Sequence, residues 1–394
     1  MDKKKIAVLT ATRAEYGLLK PIIKKLDRSV YFQVELAVTG MHLSSEFGST
    51  YQEIEQDGLH IDNKIEILLS SDTPIAMSKA MGLALISFSE YFDRSKPDAV
   101  MVLGDRYETL AVCCAAMNAR IPIFHIHGGE ATEGLIDEAI RHAITKMSFF
   151  HFTSTEEYRR RVIQMGEQPD RVFNVGSLGV ENVLHETLMS KDELEKSLGY
   201  PLSKPYTVVT FHPVTLEANT AEQQMQELLQ AIDKHPEYLY VCTKANADAG
   251  GRTINRMWDE FAACRENVAV YESLGMRRYL SAVKYSTMVI GNSSSGIMEV
   301  PAFGIPTINI GDRQKGRVQS DSVINCQPDR MDISESIETA QSTEFRKIAK
   351  NTDNPYGKGN TSNAILSILE ERFANKSLDL KKEFFDLDFG EVRI

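Results

Sequence analysis

The stretch Ile6-Ala-Val-Leu-Thr-Ala-Thr-Arg13-Ala-Glu15-Tyr-Gly17-Leu-Leu-Lys-Pro-Ile-Ile-Lys-Lys-Leu26, followed by Val34-Glu-Leu-Ala-Val38, decides the fold. A short apolar run with branched residues, a polar turn, a longer helix-period segment and a second branched run make one βαβ unit. The rhythm continues outward through Ser44 to Gln56, Ile61 to Leu68, Pro74 to Arg94, Ala99 to Leu103, Tyr107 to Asn118, Pro122 to His125, Asp137 to Met147 and Phe149 to Thr153. The first half therefore reads as a parallel α/β domain. After Gly176-Ser-Leu-Gly179 the chain turns polar through Ser190 to Lys204, with Pro201 and Pro205 as breakers, which reads as the interdomain connection. Strand candidates then resume at Tyr206 to Phe211, Tyr238 to Cys242, Val268 to Tyr271, Thr287 to Ile290 and Thr307 to Ile310. The expected organisation is a first parallel α/β domain over 1–185, a second over 186–365, and a C-terminal helix and acidic-aromatic tail over 366–394 that either packs back on the first domain or frays.

The 394 residues, 42% hydrophobic, suffice for two buried cores. A formal charge of −11 argues against nucleic-acid backbones and anionic membranes as partners, so an anionic ligand must be met by local cations. Five cysteines without a C-x-x-C pair read as reduced thiols, and no apolar stretch is long enough to span a membrane; the expected compartment is the cytoplasm.

In open parallel sheets, ligands sit beyond the carboxyl ends of the strands. Those positions here are polar: Thr10 to Gly17, Thr39-Gly-Met-His42, Gly104-Asp105-Arg106, and His125-Ile-His127-Gly-Gly-Glu130 with Asp137-Glu-Ala-Ile-Arg141-His142 beyond. Each residue alone reads equally as a cap or a solvated charge; their gathering at one edge points to a site. In the second series, Gly291-Asn-Ser293-Ser294-Ser295-Gly296 has the form of a backbone phosphate cradle but lacks the Lys-Ser/Thr of a P-loop, and no G-x-G-x-x-G signals a dinucleotide. Glu299 follows as a candidate ribose ligand, and Arg313, Lys315 and Arg317 form a local basic cluster suited to phosphate. His125 and His127, two apart, raise a metal reading with Asp105 and His142 as companions, but the spacing fits no zinc signature and a satisfied core pair is preferred. No metal and no cofactor are expected.

Taken together, these motifs, with His212-Pro-Val-Thr215, resemble those of the hydrolysing UDP-N-acetylglucosamine 2-epimerases of sialic-acid biosynthesis over most of the chain. The resemblance implies an α/β fold of two Rossmann-like domains with parallel sheets, of the GT-B type, with the active site in an interdomain cleft. It implies Ser293 and Ser294 at the diphosphate, Glu299 at the ribose, Arg313 nearby, and His212 and Asn246 lining the site. Arg13 and Arg106 would reach the diphosphate, His42 would border the sugar, and Asp105 and Asp137 match acidic residues implicated in catalysis. Many relatives carry Glu where this chain has His127, and a subgroup that makes sialic-acid-type sugars shares the His form. Asp105, His127, Glu130, Asp137 and His212 are thus the catalytic candidates, and the partner implied is a UDP-sugar, bound by a homo-oligomer, dimer or tetramer. The expected reaction converts UDP-N-acetylglucosamine and water to N-acetylmannosamine and UDP. The same chemistry on a UDP- or GDP-linked diacetamido-trideoxyhexose, a GT-B glycosyltransferase, and a non-catalytic sugar-nucleotide sensor remain alternatives.

Overall fold

Alternation of side chains along each strand sends successive residues to opposite faces of a sheet, and a parallel sheet must be covered on both. A computed structural model of the chain describes residues 3–69, 71, 73–133, 136–214, 220–245 and 250–388. In it the first series runs β1 (Lys4–Thr10), α1 (Arg13–Arg28), β2 (Phe32–Thr39), α2 (Tyr51–Gln56), β3 (Asn63–Ile65), α3 (Pro74–Ser95) and β4 (Ala99–Leu103). It continues with α4 (Tyr107–Asn118), β5 (Ile123–Ile126), α5 (Asp137–Met147), β6 (Phe150–Thr153), α6 (Glu156–Gln164), β7 (Val172–Asn174) and α7 (Leu178–His185). These strands form one parallel sheet in the order β3-β2-β1-β4-β5-β6-β7. Ile6 and Val8 point into one core with Leu19, Ile22 and Phe124, while Ala7 and Leu9 point into the other with Phe88, Val102 and Val112.

The second series runs α8 (Lys191–Leu198), β8 (Tyr206–Thr210), α9 (Ala221–Asp233), β9 (Leu239–Thr243), α10 (Gly251–Ala262), β10 (Val268–Tyr271) and α11 (Gly275–Tyr285). Then come β11 (Met288–Gly291), α12 (Ser294–Met298), β12 (Thr307–Ile310), β13 (Val323–Cys326), α13 (Arg330–Gln341), α14 (Thr343–Asn351) and α15 (Thr361–Arg372). Its parallel sheet has the order β10-β9-β8-β11-β12-β13. Val208 and Val209 again divide between two cores, one with Leu194 and Val241, the other with Trp258 and Ile290.

The chain divides into two compact units. The first takes Met1–Glu130, Asp137–Glu181 and Gly359–Ile394; the second takes Ala131–Ile136 and Asn182–Lys358. The division therefore passes through α7 and returns at Gly359, beside the expected limits at 185 and 365, and α15 belongs with the first unit. Ile365, Leu369 and Phe373 of that helix and its end are buried against α1, and Phe373 stacks on Phe32. Each such side chain contributes about 1.5–3 kcal/mol relative to exposure.

Three local expectations change. The polar segment from Ser190, expected as the interdomain connection, lies inside the second unit: Ser190 and Glu193 close a capping box, α8 forms, and Leu194, Leu198 and Leu202 enter that domain's core. Ser44 to Gln56 is not one helix, because Gly48 (φ +86°) and Ser49 (φ +49°) lie in the left-handed region and break it before α2. The short edge strands β7 and β13 were not among the strand candidates. Among the described residues no helix is long and apolar enough to cross a membrane.

Candidate active site

Strand order reverses between β1 and β4 in the first sheet and between β8 and β11 in the second; at each such point the chain leaves the sheet to opposite sides and opens a crevice. The candidate residues fall at these two points and at the strand ends beside them.

In the first domain, Thr12 caps α1 and receives the Glu15 N–H, while the Glu15 carboxylate accepts from the backbone N–H groups of Ala11 (2.8 Å) and Thr12 (3.1 Å). Burial and the neighbouring Glu108 raise the Glu15 carboxyl to about 7, against the pull of Arg106 and those two N–H groups. Beyond β2, Gly40 (φ +59°) lies so close to Ala11 that a Cβ would stand 3.1 Å from its carbonyl oxygen. The next turn places His42 with Nε2 3.0 Å from Thr10 Oγ1 and Nδ1 2.8 Å from Thr50 Oγ1. Burial holds this imidazole down at about 4, so it is neutral, and its two nitrogens tie the end of β1 to the start of α2.

Arg13, at the start of α1, is half exposed and paired with Glu53 (Nε–Oε1 3.0 Å). The Arg106 Nε lies 2.5 Å from Glu108 Oε1. Burial opposes the Arg106 charge, but Glu108 and Glu15 more than offset it and hold the guanidinium above its usual range. Asp105 is engaged by Arg141, whose Nε (2.8 Å) and Nη2 both donate to Oδ2. Arg141 Nη1 donates to Glu138 Oε2 (2.8 Å) and to the Glu130 carbonyl (2.8 Å), so one buried guanidinium organises three acidic positions. Asp137 opens α5, and burial followed by the charge of Asp105 raises its carboxyl above the ordinary range.

His125, next to last in β5, sets its Nε2 on the carbonyl of Gly104 (2.8 Å), the residue before Asp105. His127 is not in strand geometry: its φ is +67°, outside β5, so the two histidines do not share a strand face. Its N–H donates to Phe152 O (2.9 Å), and its Nδ1 lies 3.7 Å from Glu130 Oε1, which also accepts from Ser154 Oγ (2.7 Å). The two glycines between them are required by packing, since a Cβ on Gly128 would meet His125 Nδ1 at 2.9 Å and one on Gly129 would meet Tyr158 O at 2.6 Å. Asp105 and His142, imagined as metal companions, are instead bound to Arg141 and to Glu138 (3.1 Å) respectively. Among the described residues no three acidic, histidine or cysteine side chains are arranged to hold a metal.

In the second domain, Gly291 (φ +135°) ends β11 where a Cβ would fall 1.9 Å from Thr210 O, so only glycine can pair there. Asn292 then clamps His212 by its backbone: His212 N donates to Oδ1 (2.7 Å) and Nδ2 donates to His212 O (2.8 Å). Arg313 Nη1 (3.1 Å) and Gln314 Nε2 (2.9 Å) both donate to Asn292 O. Burial, then Arg313, lowers the His212 imidazole to about 3. Ser293 caps the short helix α12, Ser294 is its first residue, and Glu299 stands at its end with a carboxyl raised by burial. Asn246 and Thr215 lie outside the described residues.

Arg141, Glu15, Glu108, Asn292 and Gln314 were not singled out as site residues. Arg141 had a signal, an Arg on the same helix face as Asp137 and Glu138. The clamp by Asn292 had none, since it joins residues 80 positions apart.

Two parallel α/β domains place these polar, conformationally specialised residues at the switch points where open α/β sheets take their ligands. The profile of the UDP-N-acetylglucosamine 2-epimerase family matches residues 24–370, and the chain belongs to that family. It is 43% identical over 386 residues to the polysialic acid biosynthesis protein P7 of Escherichia coli, covering 98% of both chains. It is 41% identical over 392 residues to the GDP/UDP-N,N'-diacetylbacillosamine 2-epimerase (hydrolyzing) of Campylobacter jejuni, covering 98% of this chain and all of that one. The crystal structure of the Neisseria meningitidis UDP-GlcNAc 2-epimerase bound to UDP-GlcNAc shares the fold, with a TM-score of 0.80 at 20% identity over 93% of this chain and 100% of that one.

Proposed function

We propose that this protein is a hydrolysing 2-epimerase that converts UDP-N-acetylglucosamine and water to N-acetylmannosamine and UDP. The observation that carries this reading is the cluster around Arg141, which binds Asp105 with two donors while burial, then the neighbouring Asp105 carboxylate, raises the Asp137 carboxyl above its ordinary range. A carboxyl that holds its proton above the ordinary range, on the same edge as the His127–Glu130 pair, suits chemistry needing an acid and a base. A simple glycosyl transfer needs no proton exchange at carbon 2.

That carbon has no carbonyl neighbour, so its proton is not acidic enough for direct abstraction. When the C1–O bond to UDP breaks first, C1 becomes cationic and acidifies the C2 proton; a base removes it and a glycal remains. Water then adds at C1 while an acid delivers a proton to the opposite face of C2. Asp137 and the His127–Glu130 pair are assigned the proton transfers, with Asp105 fixed by Arg141 as their electrostatic partner. Ser293, Ser294, Arg313 and the neutral His212 are assigned to the departing diphosphate and Glu299 to the ribose. Arg13 and Arg106, paired with Glu53 and Glu108, are less suited to a diphosphate than the sequence alone suggests.

The likeness to P7 supports an N-acetylmannosamine product, and that to the Campylobacter enzyme supports a second reading, the same reaction on a diacetamido-trideoxyhexose linked to UDP or GDP. Proton NMR in D2O with each sugar nucleotide decides between them: free sugar with deuterium at C2 identifies the substrate, and UDP binding without turnover of either overturns the epimerase reading. A homo-oligomer in the cytoplasm accompanies the proposal, supported by exposed Ile75 and Ile86 of α3 and Met117 of α4 and by five free thiols. Light scattering of the purified protein tests the assembly.

A further inference from the structure

Glu167 is wholly buried yet lies outside the site described above. Its carboxylate accepts from His151 Nε2 (3.1 Å) on β6, from Lys146 Nζ (2.6 Å) at the end of α5, and from Lys382 Nζ (2.5 Å) in the chain that follows α15. Lys382 Nζ also donates to the carbonyls of Ser148 (2.7 Å) and Lys146 (3.1 Å), where the last carbonyls of α5 lack helical partners. The residues after Lys382 continue as a strap. Phe384 lies over Gly166, where any Cβ would strike its ring, Phe385 N donates to Gly166 O (2.9 Å), and Phe385 and Leu387 pack on Val162, Ile163 and Val172.

A buried ion cluster contributes little net stability compared with apolar side chains of the same volume, so its use is to fix one geometry. What this cluster fixes is informative. The other end of α5 carries Asp137 and Arg141. On α6, Arg161 Nη1 donates to Gly129 O (2.7 Å) and Tyr158 packs against the same glycine, between His127 and Glu130. His151 is the strand partner of His125, which holds the Gly104 carbonyl beside Asp105.

We propose that Lys382 is a positioning residue for the acid/base edge of the first domain: by pinning Glu167 it locks α5 and α6, and with them the Gly128-Gly129 turn, in register. Its effect on turnover rests on the epimerase reading; its effect on local order does not. The test uses the full chain with Lys382→Met and Lys382→Arg, measuring amide hydrogen exchange, kcat, KM and UDP affinity. Lys382→Met is expected to speed exchange across 127–133 and 137–147 and to lower kcat on the order of tenfold, with KM and UDP affinity little changed. Lys382→Arg restores both. If Lys382→Met does not fold, Phe384→Ala loosens the same strap without stranding a charge and shifts both readouts in the same direction. Faster exchange confined to 161–172 and 378–388, with kcat unchanged, overturns the proposal and leaves the strap a cover. If the parent enzyme turns over no sugar nucleotide, the functional reading fails and the exchange pattern alone decides the positioning role.

Discussion

Replacing Arg141 by Met removes the guanidinium that binds Asp105, Glu138 and the Glu130 carbonyl. Arg141 is 2% exposed, whereas the Asp105 and Glu138 side chains keep 26% and 28% exposure. A hydrogen bond to a charged group contributes about 1.5–3 kcal/mol, and stranding a fully buried charge costs about 3–5 kcal/mol. Because water reaches both carboxylates in part, the expected loss is smaller than a sum of such values, about 2–4 kcal/mol by equilibrium urea unfolding. Turnover falls further, on the order of a hundredfold or more, because the Asp105 carboxylate that raises the Asp137 carboxyl is no longer fixed in place. Arg141→Lys separates the two effects. It keeps a cation but not the planar fork that meets three acceptors, so it is expected to recover most of the stability and little of the turnover. An Arg141→Met protein that unfolds within about 0.5 kcal/mol of the parent and epimerises at the parent rate refutes the cluster as the organiser of the site.

Asp137→Asn and Glu130→Gln are each expected to lower turnover on the order of a hundredfold while sparing UDP affinity measured by calorimetry; near-normal turnover removes that residue from the proton transfers. His42 titrates at about 4 when folded against 6.5, so the unfolded chain binds the extra proton and stability falls by roughly 3 kcal/mol as pH drops from 6.5 towards 4, a limb that His42→Gln should flatten in pH-dependent unfolding. Glu15 acts oppositely: raised from 4.5 to about 7, it costs stability as pH rises through that window, and Glu15→Gln should remove that loss; no change in either variant's pH profile refutes the burial argument. Gly291→Ala forces a Cβ to 1.9 Å from Thr210 O and is expected to cost on the order of 3 kcal/mol or to abolish folding, whereas Gly17→Ala, with nothing within 4 Å, should be neutral or stabilising in thermal melts. Arg313→Gln should weaken UDP binding in titration calorimetry without changing the product formed; unchanged affinity removes Arg313 from the diphosphate.

The βα rhythm was legible because the central strands are buried on both faces and read as unbroken apolar runs; β4 and α4 appear with the bounds the pattern indicates. The edge strands β7 and β13 escaped because Val172–Asn174 and Val323–Cys326 are only three and four residues long and each carries an asparagine, and their extended form is set by a neighbour strand rather than by composition. The strand-end positions were legible for the same reason as the strands, since polar residues directly after apolar runs stand out. Their partners were not. Nothing in sequence pairs Asn292 with His212, Arg141 with Asp105, or Lys382 with Glu167, and it is on these contacts that the proposed division between proton-transfer groups and fixtures rests. His42 is the clearest case, a histidine in a recognisable motif whose two nitrogens are both bound to threonines of the scaffold.

The two switch points differ in charge, and the proposed reaction explains why that difference is useful. Around the first stand Glu15, Asp105, Glu108, Glu130, Asp137 and Glu138, with Arg106 and Arg141 as the guanidiniums among them. At the second, Arg313 reaches the Asn292 carbonyl from a loop that also carries Asp312, Lys315 and Arg317, with Glu299 at the end of α12 and a histidine that burial keeps neutral. Elimination separates an anion, the departing UDP, from a cation at C1, and each product of that separation is favoured by a field of opposite sign. An acidic first domain favours the cationic sugar and a proton at Asp137; a basic loop on the second favours the diphosphate. Exchanging a sugar hydroxyl for an acetamido group alters neither charge. In the proposed reaction, charge therefore does not distinguish the N-acetylglucosamine and diacetamido substrates, and the choice between them falls to shape and to individual hydrogen bonds at the sugar, where one methyl group or one unmatched N–H is worth about 1–3 kcal/mol.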